Sequence, residues 1–194
     1  MDEGYTDVIH VPINRSGSST YNNAVMAQGM LREERPEHHL NIHLLDPHTY
    51  SMVFGWYLCE MARKLQNGAE LRHVISEFET QMNKMEVILG PYSLKQMKKS
   101  GRISAAAAVM GELMGIRPII TLIDGKTRVE SKVRGDDKVI PAMIDLCKKR
   151  TEGVEDFDYM IGHTSIPQAV ELEKACRRAF GKAPLTTFNL GGVV

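Results

Sequence analysis

GIRPIITLIDGKTRVESKVRG, residues 115–135, decides how this chain folds. Two strand-like runs, 117–123 and 126–133, are separated by Asp124-Gly125 alone. A two-residue turn between paired strands needs left-handed backbone at both central positions, and Asp-Gly adopts it with little strain. The segment therefore reads as an antiparallel hairpin. Nothing upstream carries such a signal.

Upstream, strands and helices alternate. Residues 7–13, DVIHVPI, read as a short strand, and 40–46, LNIHLLD, as a second, with Leu40, Ile42 and Leu44 on one face. TYNNAVMAQGMLREER between them reads as a helix with Ser18 or Ser19 as N-cap. A helix over 51–65 stops at Asn67-Gly68, and Leu71, Val74, Ile75 and Phe78 mark the apolar face of the next. A strand at 85–89 ends at Gly90-Pro91, a short helix covers 93–100, and an alanine-rich helix leads into the hairpin. Beyond the hairpin come a helix over 136–151, a strand over 157–162, a helix over 166–180 and a strand over 184–190. The fold class is α/β in two units: residues 1–82 a partial Rossmann-like parallel-sheet domain, 83–194 a mixed sheet with a hairpin and packed helices.

Composition narrows the function. The 194 residues are 43% hydrophobic and 25% charged, as in ordinary globular chains. Lys plus Arg equals Asp plus Glu, 24 each, so no broad basic surface awaits nucleic acid. Cys59, Cys147 and Cys176 lie far apart without a CxxC pair, which fits a reducing compartment rather than a disulfide framework or zinc site. No apolar run is long enough to span a bilayer, and the start, MDEGYTD, is unlike a signal peptide. The expectation is a cytoplasmic protein.

Catalytic motifs such as GxSxG, HExxH and GxxxxGK[ST] are absent. Seven histidines are scattered, and His38-His39 reads as a solvated loop, with metal binding the minority alternative. GSSTYNNA gathers hydroxyls at a strand-to-helix turn, which suits either helix capping or an anion. In MKKSGRISAAAAVMGELMG, Gly101 can cap a helix whose negative end Lys98 and Lys99 complement; Arg102 is then a surface cation or a guanidinium fork for a carboxylate. Ala105 to Ala108, with Met110, Leu113 and Met114, suit either close helix-on-sheet packing or the flank of a slender apolar ligand. Arg134 is a solvated strand end or a partner contact.

Six segments in register resemble the DegV family of bacterial fatty-acid-binding proteins: SSTYNNA (18–24), LLDPHTYSMVFG (44–55), LKQMKKSGRIS (94–104), GIRPIITLIDGK (115–126), KVRG (132–135) and IGHTS (161–165). The resemblance implies a non-catalytic carrier of two α/β domains, the second a lipid-binding domain. One long-chain fatty acid would lie in an apolar tunnel, and a fatty acid kinase would phosphorylate its carboxylate. It places the carboxylate-binding Ser at Ser18, with Ser19 and Thr20 beside it, and the Arg of the same polar region at Arg102. Ala105, Ala108, Met110, Leu113 and Ile119 would line the tunnel, and Arg134 would dock the kinase catalytic subunit. It implies no cofactor, no metal, no nucleic acid partner and no stable membrane insertion, membrane contact being at most transient.

The chain departs from the family pattern in places. Asn14-Arg15-Ser16-Gly17 stands where the family has Ser-Ser-Gly-Leu, and Ser19 replaces a Gly. Arg15 would be a second cation beside the carboxylate. The family's Thr-Ser-Gln-Pro and His-Thr-Gly segments are missing, so the chain reads as truncated at both ends. Two alternatives follow: a small-molecule enzyme, kinase subunit or hydrolase-like, pairing Ser18 with His163, or a fragment that binds nothing.

Overall fold

The computed structural model describes residues 4–93 and 115–190. They form two compact units. One comprises Met1–Met85 with Ile123–Lys126, the other Glu86–Leu122 with Thr127–Val194.

In the first unit, strand β1 (Asp7–His10) pairs in parallel with β2 (Asn41–Leu44). Helix α1 (Thr20–Glu34) makes the crossover that parallel strands require. The Asp7 carboxylate lies 2.9 Å from His43 Nε2, tying the two strands side chain to side chain. Helices α2 (Met52–Gln66) and α3 (Leu71–Met82) follow. Their apolar faces meet: Met61, Val74, Phe78 and Met82 are buried with Leu45 in one cluster. Gly68, at φ 84°, lets the chain leave α2 in the left-handed conformation. Glu70 then caps α3, its carboxylate accepting from the backbone N–H of Arg72 and His73.

The second unit holds most of both hairpin strands, while the turn, Ile123–Lys126, counts with the first. Strands β3 (Val87–Leu89), β4 (Ile116–Ile123) and β5 (Lys126–Arg134) form a sheet in that order, β3 antiparallel to β4. Asp124 and Gly125 both have positive φ, 48° and 71°, as a type I′ turn demands. Pro118 through Leu122 are all buried, which makes β4 the central strand. Pro118 is tolerated there because β3 pairs only with residues 120–122, beyond the proline.

Residues 136–138 make one 3₁₀ turn before α4 (Val139–Arg150), so the helix expected from 136 begins later. Gly135, at φ 94°, leads the chain from β5 into that turn. Strand β6 (Ile161–His163) pairs in parallel with β7 (Thr187–Asn189), and α5 (Ile166–Phe180) connects them. β6 is shorter than the expected 157–162 because Phe157 and Tyr159 pack edge-on against Phe180, each with centroids 5.3 Å apart. Tyr159 donates its hydroxyl to Lys182 O at 2.6 Å. Ile140, Ile144, Ile161 and Cys176 form the core under this layer. No helix of the described residues is long and apolar enough to cross a membrane.

Candidate functional site

Parallel strands open a crevice beyond their carboxyl ends, where the loops leading to the next helices meet. In the first unit those loops are 11–19, after β1, and 45–51, after β2. Asn14 ties them together. It is 1% exposed, and its backbone N–H donates to Thr49 O at 3.2 Å. Its side-chain oxygen accepts from both the N–H and the hydroxyl of Ser16, at 2.8 Å each. Its carbonyl accepts from the Gly17 N–H at 3.1 Å.

Two glycines make room for this knot. A Cβ on Gly17 would fall 1.6 Å from the Tyr50 hydroxyl oxygen. A Cβ on Gly125 would fall 2.1 Å from Asn14 Nδ2. The 45–51 loop is itself constrained: His48 and Ser51 hold φ of 54° and 63°, uncommon for residues with a side chain. Asp46 stabilises the bend by accepting the His48 N–H at 3.0 Å.

Ser18 lies half-buried at the end of the first loop. Its hydroxyl oxygen accepts twice, from the Thr20 N–H at 3.3 Å and the Thr20 hydroxyl at 3.2 Å. A hydroxyl that accepts twice keeps its own proton for an acceptor from outside. Ser19 holds the expected N-cap position of α1, in right-handed helical backbone, but makes no side-chain cap bond. The first turn of α1 also carries no acidic residue. Its first amide, the Thr20 N–H, is taken by Ser18, but no carboxylate of the turn offsets the positive end of the helix dipole, a setting that favours anions.

Arg15 is less available than its sequence position implies. Its backbone N–H donates to Asp46 at 3.3 Å, its Nε lies 3.9 Å from the same carboxylate, and its guanidinium sits 5.5 Å from the Tyr21 ring centroid. Asn14 Nδ2 and Thr49 Oγ1 are buried polar atoms with no hydrogen-bond partner among the described residues. Sequence reasoning missed the joining role of Asn14, although an Asn two residues before a Ser is the signature of a side-chain-closed turn.

Arg102, Ala105, Ala108, Met110 and Leu113 lie outside the described residues. Ile119, the remaining candidate for the tunnel wall, is fully buried in β4. Arg134 ends β5, exposed and without an ion-pair partner among the described residues. His163 ends β6, and among the described residues its buried Nδ1 has no hydrogen-bond partner and no carboxylate bonds its ring. Among the described residues no three His, Cys, Asp or Glu side chains gather closely enough to hold a metal ion.

In the second unit, Arg150 sits between two carboxylates, 3.3 Å from Glu86 and 3.0 Å from Glu130. Burial pushes the Glu86 carboxyl above its ordinary range, against the pull of Arg150. Burial also pushes the Cys176 thiol up to about 11.

The chain as a whole is similar to known proteins. A DegV domain-containing protein of Clostridium perfringens is 30% identical over 143 residues, 74% of this chain and 50% of its own length. The chain thus spans about half the length of the curated relatives it matches. Among solved structures, a fatty acid binding DegV family protein of Streptococcus agalactiae superposes with a TM-score of 0.82 at 26% identity, over 99% of this chain and 66% of that one. The Streptococcus pneumoniae fatty acid kinase B3 protein loaded with linoleic acid shares the fold, with a TM-score of 0.79 at 19% identity, over 96% of this chain and 66% of that one. The family model described as an uncharacterised protein of the DegV family matches residues 1–194, and the chain belongs to that family.

Proposed function

We propose that this chain binds a long-chain fatty acid, its carboxylate at the crevice beside Ser18 and its tail in an apolar tunnel, and presents it to a fatty acid kinase. The observation that carries the reading is the state of Ser18: a hydroxyl that accepts from Thr20 twice and keeps its proton, beside a helix N-terminus without an acidic residue. The binding of fatty acid by the Streptococcus agalactiae relative supports the choice of ligand. Ser19 and Thr20 flank the same turn, and Arg102 supplies the cation that a partly desolvated carboxylate needs. Ala105, Ala108, Met110, Leu113 and Ile119 form the tunnel wall. An acyl chain gains about 0.8 kcal/mol for each methylene removed from water, so the tunnel supplies affinity and the polar end sets orientation.

The kinase reading draws on the Streptococcus pneumoniae protein of the same fold. In that step a carboxylate oxygen attacks the γ-phosphorus of ATP, the bond from phosphorus to the ADP oxygen breaks, and acyl phosphate and ADP leave. The chemistry belongs to the kinase. This chain holds the acid, and Arg134 meets the partner. Residues 1–82 and 83–194 act as the two domains of the carrier, with no cofactor.

The test is a titration with a fluorescent C16 or C18 acid, followed by incubation of the loaded chain with kinase and ATP. Saturable binding that Ser18→Ala and Arg102→Ala weaken supports the carrier. Absence of binding, or turnover by the chain alone that His163→Ala abolishes, contradicts it.

A further inference from the structure

Residues at every second position of a strand share one face. On β5 the residues at 126, 128, 132 and 134 of one face are Lys126, Arg128, Lys132 and Arg134, all exposed. None has an ion-pair partner among the described residues. The one acid in the row, Glu130, is engaged within its own unit: the Thr121 hydroxyl donates to it at 2.8 Å and Arg150 at 3.0 Å. β5 is an edge strand of its sheet. The chain as a whole carries no net charge, 24 basic against 24 acidic residues, so this row is a local concentration and not a share of a general excess.

We propose that Arg128, Lys132 and Arg134 together form a docking face for an acidic protein surface. This rests on the carrier reading, where Arg134 alone was assigned to the kinase, and makes the contact a row. Alternate residues on a strand stand about 7 Å apart, so the three cations span roughly 20 Å and match carboxylates spaced along a partner's surface. An anionic bilayer fits less well. The exposed face of β5 carries no apolar side chain to insert, Glu130 interrupts the row, and each surface cation adds only about 1 kcal/mol at a membrane. Cations on an edge strand also discourage strand-to-strand aggregation, and that simpler role makes a different prediction.

The experiment uses the full chain and the source organism's fatty acid kinase catalytic subunit. Association is measured by biolayer interferometry at about 0.1 and 1 M NaCl, where the Debye length is about 10 and 3 Å. The variants are Arg128→Glu/Lys132→Glu and, as a charge-matched control, Lys174→Glu/Arg178→Glu on the exposed face of α5. The expected result is a loss of about tenfold or more in association rate for the β5 variant at low salt, shrinking at high salt, with the control unchanged. Edge protection alone predicts no change, because glutamate guards an edge as well as lysine, and that result overturns the proposal. Equal losses in both variants overturn it too, by assigning the effect to net charge. So does a β5 variant that loses only its binding to vesicles of 30% phosphatidylserine.

Fatty acid titration of each variant separates the two readings. A wild-type chain that binds acid but shows no salt-sensitive association sinks the docking face alone. A chain that binds no acid sinks the carrier reading, and the docking face is then judged on association by itself.

Discussion

Gly125→Ala probes the knot that builds the crevice. Gly125 holds φ 71°, and a Cβ there would meet Asn14 Nδ2 at 2.1 Å and Oδ1 at 2.3 Å. Two costs follow. An alanine forced into left-handed backbone costs about 1–2 kcal/mol. Displacing Asn14 also breaks the two bonds its side-chain oxygen accepts from Ser16, at about 1 kcal/mol each. The sum is about 3–4 kcal/mol. Gly68→Ala is the natural control, because Gly68 has φ 84° with nothing within 4 Å of a new Cβ, so it pays only the backbone cost. For a chain of this size each kcal/mol lowers Tm by about 2–4 °C. Thermal melts by circular dichroism should therefore show a drop of about 2–8 °C for Gly68→Ala and about 6–16 °C for Gly125→Ala. Adding Asn14→Ala to Gly125→Ala should cost less than the sum of the two, since the smaller side chain clears the clash. Equal drops for the two glycines, with additive double-variant costs, would refute the Asn14–Gly125 contact.

Ser18→Ala should weaken fatty acid binding about tenfold to a hundredfold, the worth of one hydrogen bond to a charged group, while leaving Tm within about 2 °C; an unchanged Kd would remove Ser18 from the site. Glu86→Gln should raise Tm at pH 7. The fold raises the carboxyl above its ordinary 4.5, so the folded state holds the proton more tightly and stability falls as pH rises from that value. The gain should vanish near pH 4, and a Gln variant less stable at pH 7 would show that the Arg150 contact outweighs burial. Thiol labelling at about pH 8 should modify exposed Cys59 first and Cys176 last, since a thiol pushed up to about 11 is only about one part in a thousand thiolate there. Rapid labelling of Cys176 in the native protein would contradict its buried setting.

What the sequence revealed depended on how local each cause was. Asp124-Gly125 specified its turn within two residues, and the hairpin strands fell within a residue of expectation. Helix 166–180 was legible to its ends because Pro167 opens it and Gly181, at φ 69°, closes it. Elsewhere the cause was distant. Phe157 and Tyr159 look like strand residues, but Phe180, more than twenty positions on, draws them into an aromatic cluster. The loop around Ser18 was visible as clustered hydroxyls. Which hydroxyl keeps a free proton was not, because that follows from Thr20 turning its own onto Ser18. The Asn14 knot was illegible because its partners, Thr49 and Gly125, are far along the chain. The candidate Arg102 and the alanine-rich tunnel wall rest on the resemblance, since they lie outside the described residues.

The most direct test of the carrier reading is organic extraction of the purified native chain, followed by mass spectrometry of the extract. A long-chain acyl species near one equivalent per chain is expected, reduced in Ser18→Ala and Arg102→Ala. A clean extract, together with no uptake of labelled palmitate or stearate by the wild-type chain, would contradict it.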